Sequence, residues 1–185
     1  MSIFGWVANE FGSKQGLLRR VKFDLAYLLG AYRNASPSKL TAFNRLVFIC
    51  SGNICRSPYG EAISRALGFP TVSYGLHCRG GDPAFAKTLD FAQRMEVEVS
   101  NHRSQNIEDY RPEGKDLLVV MEPRHLSELE EMFPQTQKIL IGLVSPMRTA
   151  YLHDPYNTNQ YFFDKCLENI AIATQRLIES DNATR

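Results

Sequence analysis

The residues best equipped for chemistry stand together in Cys50-Ser51-Gly52-Asn53-Ile54-Cys55-Arg56-Ser57-Pro58. A thiol and a guanidinium six positions apart, in a loop of small residues, suit attack on a bound anion. Arg56 can fork onto two oxygens of a phosphate. Gly52 permits tight curvature, and small Ser51 lets backbone N–H groups approach the anion. Such cationic surroundings favour the thiolate form of a cysteine. A Cys50 thiolate beneath a cradled phosphoryl group is placed for in-line attack at phosphorus. Ser57 can donate its hydroxyl to that sulfur and ease its departure in a second step. Cys and Arg at this spacing are a weak signal alone; the strand before and the helix after make it strong.

Those elements are legible. Leu46-Val47-Phe48-Ile49 is a continuous apolar run, as in a strand buried on both faces. Ser57-Pro58 opens a helix that runs to about Leu67 and stops at Gly68 and Pro70. The loop therefore leaves the carboxyl end of a buried strand and enters a helix, where α/β proteins bind ligands and helix N-termini hold anions. Downstream, strands are expected at Thr71–Tyr74, Leu117–Met121 and Lys138–Ile141. Helices are expected at Ala84–Met95, Pro123–Met132 and Gln160–Glu179. The alternation predicts an α/β fold of three layers: a four-stranded parallel sheet with helices on both faces, and the phosphate loop between first strand and first helix.

Residues 1–43 read as an N-terminal helical extension and linker, ahead of a domain over 44–185. Leu18, Val21, Leu25, Leu28 and Tyr32 make one helical stripe, with Arg19, Arg20, Lys22 and Asp24 largely off it. The favoured expectation is that this stripe packs on the domain and covers apolar surface. Docking to a partner protein or an anionic membrane is the lesser one, because three basic residues are few and Asp24 weakens them. Asn34 to Ser38 reads as linker.

Composition sets the outer bounds. The chain has 185 residues, 44% hydrophobic and 22% charged, enough for a real core. A net charge of +1 gives no basic face for nucleic acid. Four cysteines without ligand spacing exclude a zinc site of the usual pattern, and no metal or cofactor is expected. Leu25 to Tyr32, the longest apolar stretch, is far short of the ~20 residues that span a bilayer, and no signal-peptide cleavage pattern follows it. The chain reads as unprocessed and cytoplasmic.

The run Leu46 to Pro58 resembles the phosphate loop of the low-molecular-weight protein tyrosine phosphatases. The resemblance extends over about Arg45 to Glu179. It implies that Cys50 is the nucleophile, that Arg56 clamps the phosphate, and that Ser51, Gly52, Asn53, Ile54, Cys55 and Ser57 form the cradle. Asp154-Pro155-Tyr156 resembles the family's Asp-Pro-Tyr loop, which implies Asp154 as general acid and base; ester hydrolysis needs both roles. Tyr156 would line the mouth of the site. Ser73-Tyr74-Gly75 and His102-Arg103-Ser104 resemble stretches whose Ser and His support the loop, implicating Ser73 and His102. The implied substrate is a tyrosine-phosphorylated protein, with an autophosphorylating kinase of exopolysaccharide assembly as one candidate. Cys55 resembles the family's second loop cysteine and is expected to form a reversible disulfide with Cys50 under peroxide.

Departures from the family pattern bear on substrate preference. The loop from Leu76 to Ala84 lacks the large aromatic that often walls the cleft, leaving His77 as the nearest flat side chain. Asn157 stands where a second Tyr often follows, and Glu122 replaces a usual Asp. Three other readings compete. An arsenate reductase would need further cysteines near Met121 to Phe133, and none is there. A protein-arginine phosphatase would carry Thr at Ile54. A non-catalytic phosphate-binding module could dispense with Cys50 or Asp154.

Overall fold

The structure, a computed structural model, describes residues 2–184. Four strands form one sheet: β1 (Arg45–Cys50), β2 (Thr71–Gly75), β3 (Asp116–Val120) and β4 (Gln137–Leu140). Their order is β2-β1-β3-β4, and every neighbouring pair is parallel. β1 and β3 are central and carry the most apolar sequences, since both faces of a parallel sheet are covered. The expected strands and parallel sheet are all present.

Alternation along β1 divides the core. Leu46 and Phe48 join Leu117, Val119 and Ile139 in one cluster, packed under helices α3 (Arg56–Ala66) and α7 (Gln160–Thr184). Val47 and Ile49 join Leu118, Val120 and Leu140 in the other, with Leu126 and Leu129 of α5 (Pro123–Met132). α4 (Ala86–Arg94) sends Phe91 and Ala92 into the first cluster. α6 (Ile141–Val144) is a single turn that follows β4 directly, so the last strand ends one residue earlier than its apolar run suggests. Gly60 of α3 lies against Phe48; a Cβ there would stand 2.6 Å from the ring. This close approach brings the start of α3, and so the Cys50 loop, tight against the sheet.

The N-terminal residues form two helices, α1 (Ile3–Phe11) and α2 (Lys14–Leu28), capped by Ser2 and Ser13. α2 packs on the rest of the chain, but through the face opposite to the one its apolar stripe predicts. Gly16 is buried, Phe23 and Tyr27 lean on the second core cluster, and Asp24 hydrogen-bonds to Thr149 and Ala150. Leu18, Val21, Leu25 and Leu28 are exposed. Of the stripe only Tyr32, beyond the helix end, packs on the core; the four aliphatic members do not, and a polar, aromatic face covers the domain instead. The segment Asn34 to Ser38, read as linker, is ordered. Arg33–Ala35 and Pro37–Lys39 form short 3-10 turns, and Ala35 is buried against β4. Among the described residues, no helix is long and apolar enough to cross a membrane.

Candidate active site

The loop between β1 and α3 wraps around the sulfur of Cys50. The Asn53 N–H points at Cys50 Sγ from 3.2 Å, and Ser57 Oγ lies 3.0 Å from it. Both groups belong to the turn that feeds the helix, so the sulfur sits beneath the N-terminus of α3, where backbone N–H groups favour negative charge.

Asn53 holds this turn in shape. Its φ of +53° is in the left-handed region, which Asn tolerates better than most residues. The side chain donates to Ser57 Oγ and Ser73 Oγ, each at 2.8 Å, and accepts the Gln105 N–H at 2.8 Å. Ser73 passes its own hydrogen to Glu61 at 2.5 Å. His102 Nε2 donates to the Asn53 carbonyl at 2.7 Å. Burial pushes the His102 ring below its ordinary value, against the Asn53 carbonyl, so the neutral form is favoured. Ser73 and His102 thus stand where sequence placed them. Glu61 and Gln105 complete the network, and no sequence motif marks them.

Arg56 is fully buried. Its Nη1 reaches Glu122 Oε1 at 3.1 Å and the Leu152 carbonyl at 3.0 Å, and its Nη2 reaches Asp154 Oδ2 at 2.8 Å. Its Nε is buried and has no protein partner. Burial opposes the charge, but Asp154 and Glu122 outweigh it and keep the guanidinium ionised. Burial also opposes ionisation of Glu122, yet Arg56, His125 and Arg124 bring its carboxyl down to about 2. Glu122 and Asp154 thus fix the fork from two sides, and Asp154 is joined to the loop by it.

These groups open into a cleft of about 500 Å³ lined by Cys50, Ser51, Gly52, Ile54, Cys55, Arg56, Asp154 and Tyr156, with Asn157 and Thr158 beside them. Tyr156 packs against Phe85 with ring centroids 4.7 Å apart and planes tilted by 40°, and the Phe85 N–H bonds to the Ile54 carbonyl at 2.8 Å. Phe85 follows the loop that lacks an aromatic and supports the apolar wall from behind. His77 is not in this wall, contrary to expectation. Its ring is tied to Ser51 Oγ at 3.1 Å and Glu128 at 3.0 Å, outside the cleft lining. Ser13, Gln15 and His153 line the cleft as well. Sequence gave them no role, because Ser13 and Gln15 lie about 140 positions from His153 and only folding joins them. The remaining cysteines do not line the cleft: Cys166 is buried with its sulfur 3.8 Å from the His153 carbonyl, and Cys78 contacts the Gly75 and Gln105 carbonyls. No group of His, Cys, Asp or Glu among the described residues could hold a metal ion.

A parallel α/β sheet with a cysteine cradled at the first strand–helix junction, facing an arginine and a carboxylate across a cleft, defines a phosphate-binding site of the phosphatase kind. Comparison with known proteins agrees. The family profile described as low molecular weight phosphotyrosine protein phosphatase matches residues 45–184. The chain belongs to that family and is a phosphatase. It is 27% identical over 135 residues to the low molecular weight protein-tyrosine-phosphatase Etp of Escherichia coli K12, covering 72% of this chain and 91% of Etp. It is 29% identical over 129 residues to Wzb of Salmonella typhi, covering 66% of this chain and 83% of Wzb. Among solved structures, Vibrio vulnificus Wzb in complex with benzylphosphonate aligns with a TM-score of 0.65 at 28% identity, over 75% of this chain and 99% of that one. The Erwinia amylovora tyrosine phosphatase amsI gives a TM-score of 0.65 at 26% identity, over 76% and 94%. The YwlE arginine phosphatase of Geobacillus stearothermophilus, at 19% identity, shares the fold.

Proposed function

We propose that this chain hydrolyses phosphotyrosine in proteins through a phospho-cysteine intermediate on Cys50. The observation that carries the reading is the Cys50 sulfur, held by the Asn53 N–H and the Ser57 hydroxyl beneath a cleft that also presents Arg56 and Asp154. In the first step the Cys50 thiolate attacks phosphorus as the ester P–O bond breaks. Asp154 gives its proton to the departing tyrosyl oxygen. In the second, Asp154 takes a proton from water, water attacks phosphorus, and the P–S bond breaks to return the thiolate, which Ser57 receives by hydrogen bond. Arg56 and the backbone N–H groups of the loop neutralise the three equatorial oxygens. A phosphoryl dianion entering the loop competes with Asp154 for Arg56 Nη2, and the buried Arg56 Nε is a further donor for it.

Ile54 and Tyr156 in the cleft lining favour an aromatic ester over a guanidinium, so phosphotyrosine is preferred to phosphoarginine. The substrate is read as a tyrosine-phosphorylated protein; the family resemblance makes an autophosphorylating kinase of exopolysaccharide assembly the first to try. Turnover of an aryl phosphate beside Cys50→Ser tests the chemistry. Loss of turnover with retained vanadate or phosphate binding is expected, and near-normal turnover by the variant would sink the mechanism. Parallel assays on phosphotyrosine and phosphoarginine peptides test the preference.

A further inference from the structure

Unlike an ordinary surface helix, α2 leaves its apolar stripe outward. The usual helix buries its apolar stripe and exposes charge. Here Arg19, Arg20 and Asp24 contact Tyr151, Met147, Thr149 and Ala150, while Leu18, Val21, Leu25 and Leu28 face outward. Leu18 and Leu28 are 70% and 79% exposed. Phe4 of α1 extends the surface: Lys14 lies over the Phe4 ring at 4.4 Å, and Phe4 is 68% exposed. Large exposed apolar side chains gathered on one helix face of a small domain mark an interaction site.

Charge identifies the occupant. Residues 1–40 hold six basic residues (Lys14, Arg19, Arg20, Lys22, Arg33, Lys39) and two acidic ones, Glu10 and Asp24. Both acids are engaged elsewhere, Glu10 with Lys165 at 2.6 Å and Asp24 with Thr149 and Ala150. Exposed Lys14 and Lys22 therefore border the patch with no acid on it. A second copy across a two-fold axis would set these cations against each other. We propose that this face docks on an anionic lipid surface, Leu and Phe side chains entering the acyl boundary and the lysines meeting headgroup phosphates.

Co-sedimentation of the full chain with phosphatidylcholine–phosphatidylglycerol vesicles and with pure phosphatidylcholine vesicles tests this. Binding to the anionic vesicles is expected, weakened by salt and reduced roughly tenfold or more by Leu18→Glu with Leu25→Glu. Those exposed positions should leave aryl phosphatase turnover and melting temperature unchanged. Equal binding to both vesicle types, no binding, or a wild-type dimer that Leu25→Glu dissociates would overturn the proposal; the last would name a second copy as occupant.

The inner face of the same hairpin carries a separate inference, which rests on the reading of Asp154 as the acid. The segment 147–153 leads directly into Asp154 and is held by the extension at several points. Arg20 reaches the Met147 carbonyl at 3.4 Å. Asp24 Oδ1 accepts from Thr149 Oγ1 at 2.8 Å and from the Ala150 N–H at 2.7 Å. Tyr151 OH is 2.8 Å from His153 Nδ1, and His153 Nε2 is 3.2 Å from Ser13 Oγ. Gly12 and Gly16 lie against the His153 ring, where a Cβ would stand 2.6 and 2.9 Å from its Cδ2. The geometry points to Asp24 and Ser13 as positioning residues for the Asp154 loop, so the extension completes the active site.

Rates on aryl phosphates with good and poor leaving groups test it, comparing Asp24→Ala, Asp24→Asn, Ser13→Ala and Asp154→Asn. Asp24→Ala should lower kcat on poor leaving groups several-fold more than on good ones, with KM little changed, and Asp24→Asn should restore much of it. Equal losses on both substrates, or losses that only track a lower melting temperature, would overturn the positioning role. If Asp154→Asn itself shows no leaving-group dependence, it is the assignment of the acid that fails.

Discussion

Arg56 Nη2 lies 2.8 Å from Asp154 Oδ2, so the group proposed to grip phosphate also holds the proposed acid. The two functions share one rigid element, because Glu122 and the Leu152 carbonyl fix the other end of the guanidinium. Arg56→Lys keeps a charge but loses the planar fork and cannot serve both partners. Its kcat/KM on an aryl phosphate is expected to fall about 10²–10³-fold, the usual cost of losing one preorganised oxyanion donor. A loss within a factor of a few would show that charge alone suffices.

Asn53 combines a left-handed backbone with three side-chain hydrogen bonds. Asn53→Ala removes the bonds and keeps an unfavourable φ; Asn53→Gly removes the bonds and relieves φ. Both variants should lose roughly tenfold or more in kcat by the scale of misplaced catalytic groups. Thermal melting should rank wild type first, Gly second and Ala last. Equal melting of the two variants would remove backbone strain from the account.

Acid should destabilise the fold from two buried groups. Burial, with Arg56 next, takes the His125 ring down to about 3. An unfolded His takes a proton near ~6.5, so between these values the unfolded chain binds more protons and stability falls as pH falls. Glu122, brought down to about 2, contributes stability above the ordinary carboxylate value, and that contribution is lost as pH drops through 2. Melting temperature should therefore decline from about pH 6.5 downward. His125→Leu should make that decline shallower between about pH 6.5 and 4.5, leaving the slopes of His102 and His153, which burial also pushes down. An identical slope in His125→Leu would exonerate His125.

Cys55 lies at the N-cap of α3 and lines the cleft, but its thiol is buried and pushed up by desolvation and by Cys50. It should remain a thiol while Cys50 reacts. Under peroxide, Cys50 is expected to form a sulfenic acid, which Cys55 condenses with, losing water and leaving a disulfide. Thiol reductant should then restore more activity to wild type than to Cys55→Ala. Equal recovery in both would deny Cys55 a protective role.

Much of the site was legible because local rules converge at one junction. The apolar run of β1, the small residues after it and Pro58 each point to strand, anion loop and helix, and Ser73 and His102 stand where the resemblance placed them. Residues joined only by folding left no such mark. Phe85 backs Tyr156, Glu61 accepts from Ser73, and Ser13 meets His153, all from distant positions without a motif. His77 failed as a wall residue because its neighbours in space, Ser51 and Glu128, turn its ring away.

The sequence by itself determined the alternation of strands and helices, the parallel sheet and the composition of the Cys50 loop, since these follow from short-range periodicity and turn chemistry. Tertiary structure decided which face of α2 is inward. Periodicity names an apolar stripe but not its partner, and here Asp24, Arg20, Phe23 and buried Gly16 found better partners on the 147–153 segment and the core than the leucines did. The inward face combines the Asp24 hydrogen bonds to Thr149 and the Ala150 N–H with burial of Phe23 and Tyr27 on the core, so it gains both polar pairing and apolar burial. That choice leaves the stripe exposed and sets Ser13 and Gln15 at the mouth of the cleft.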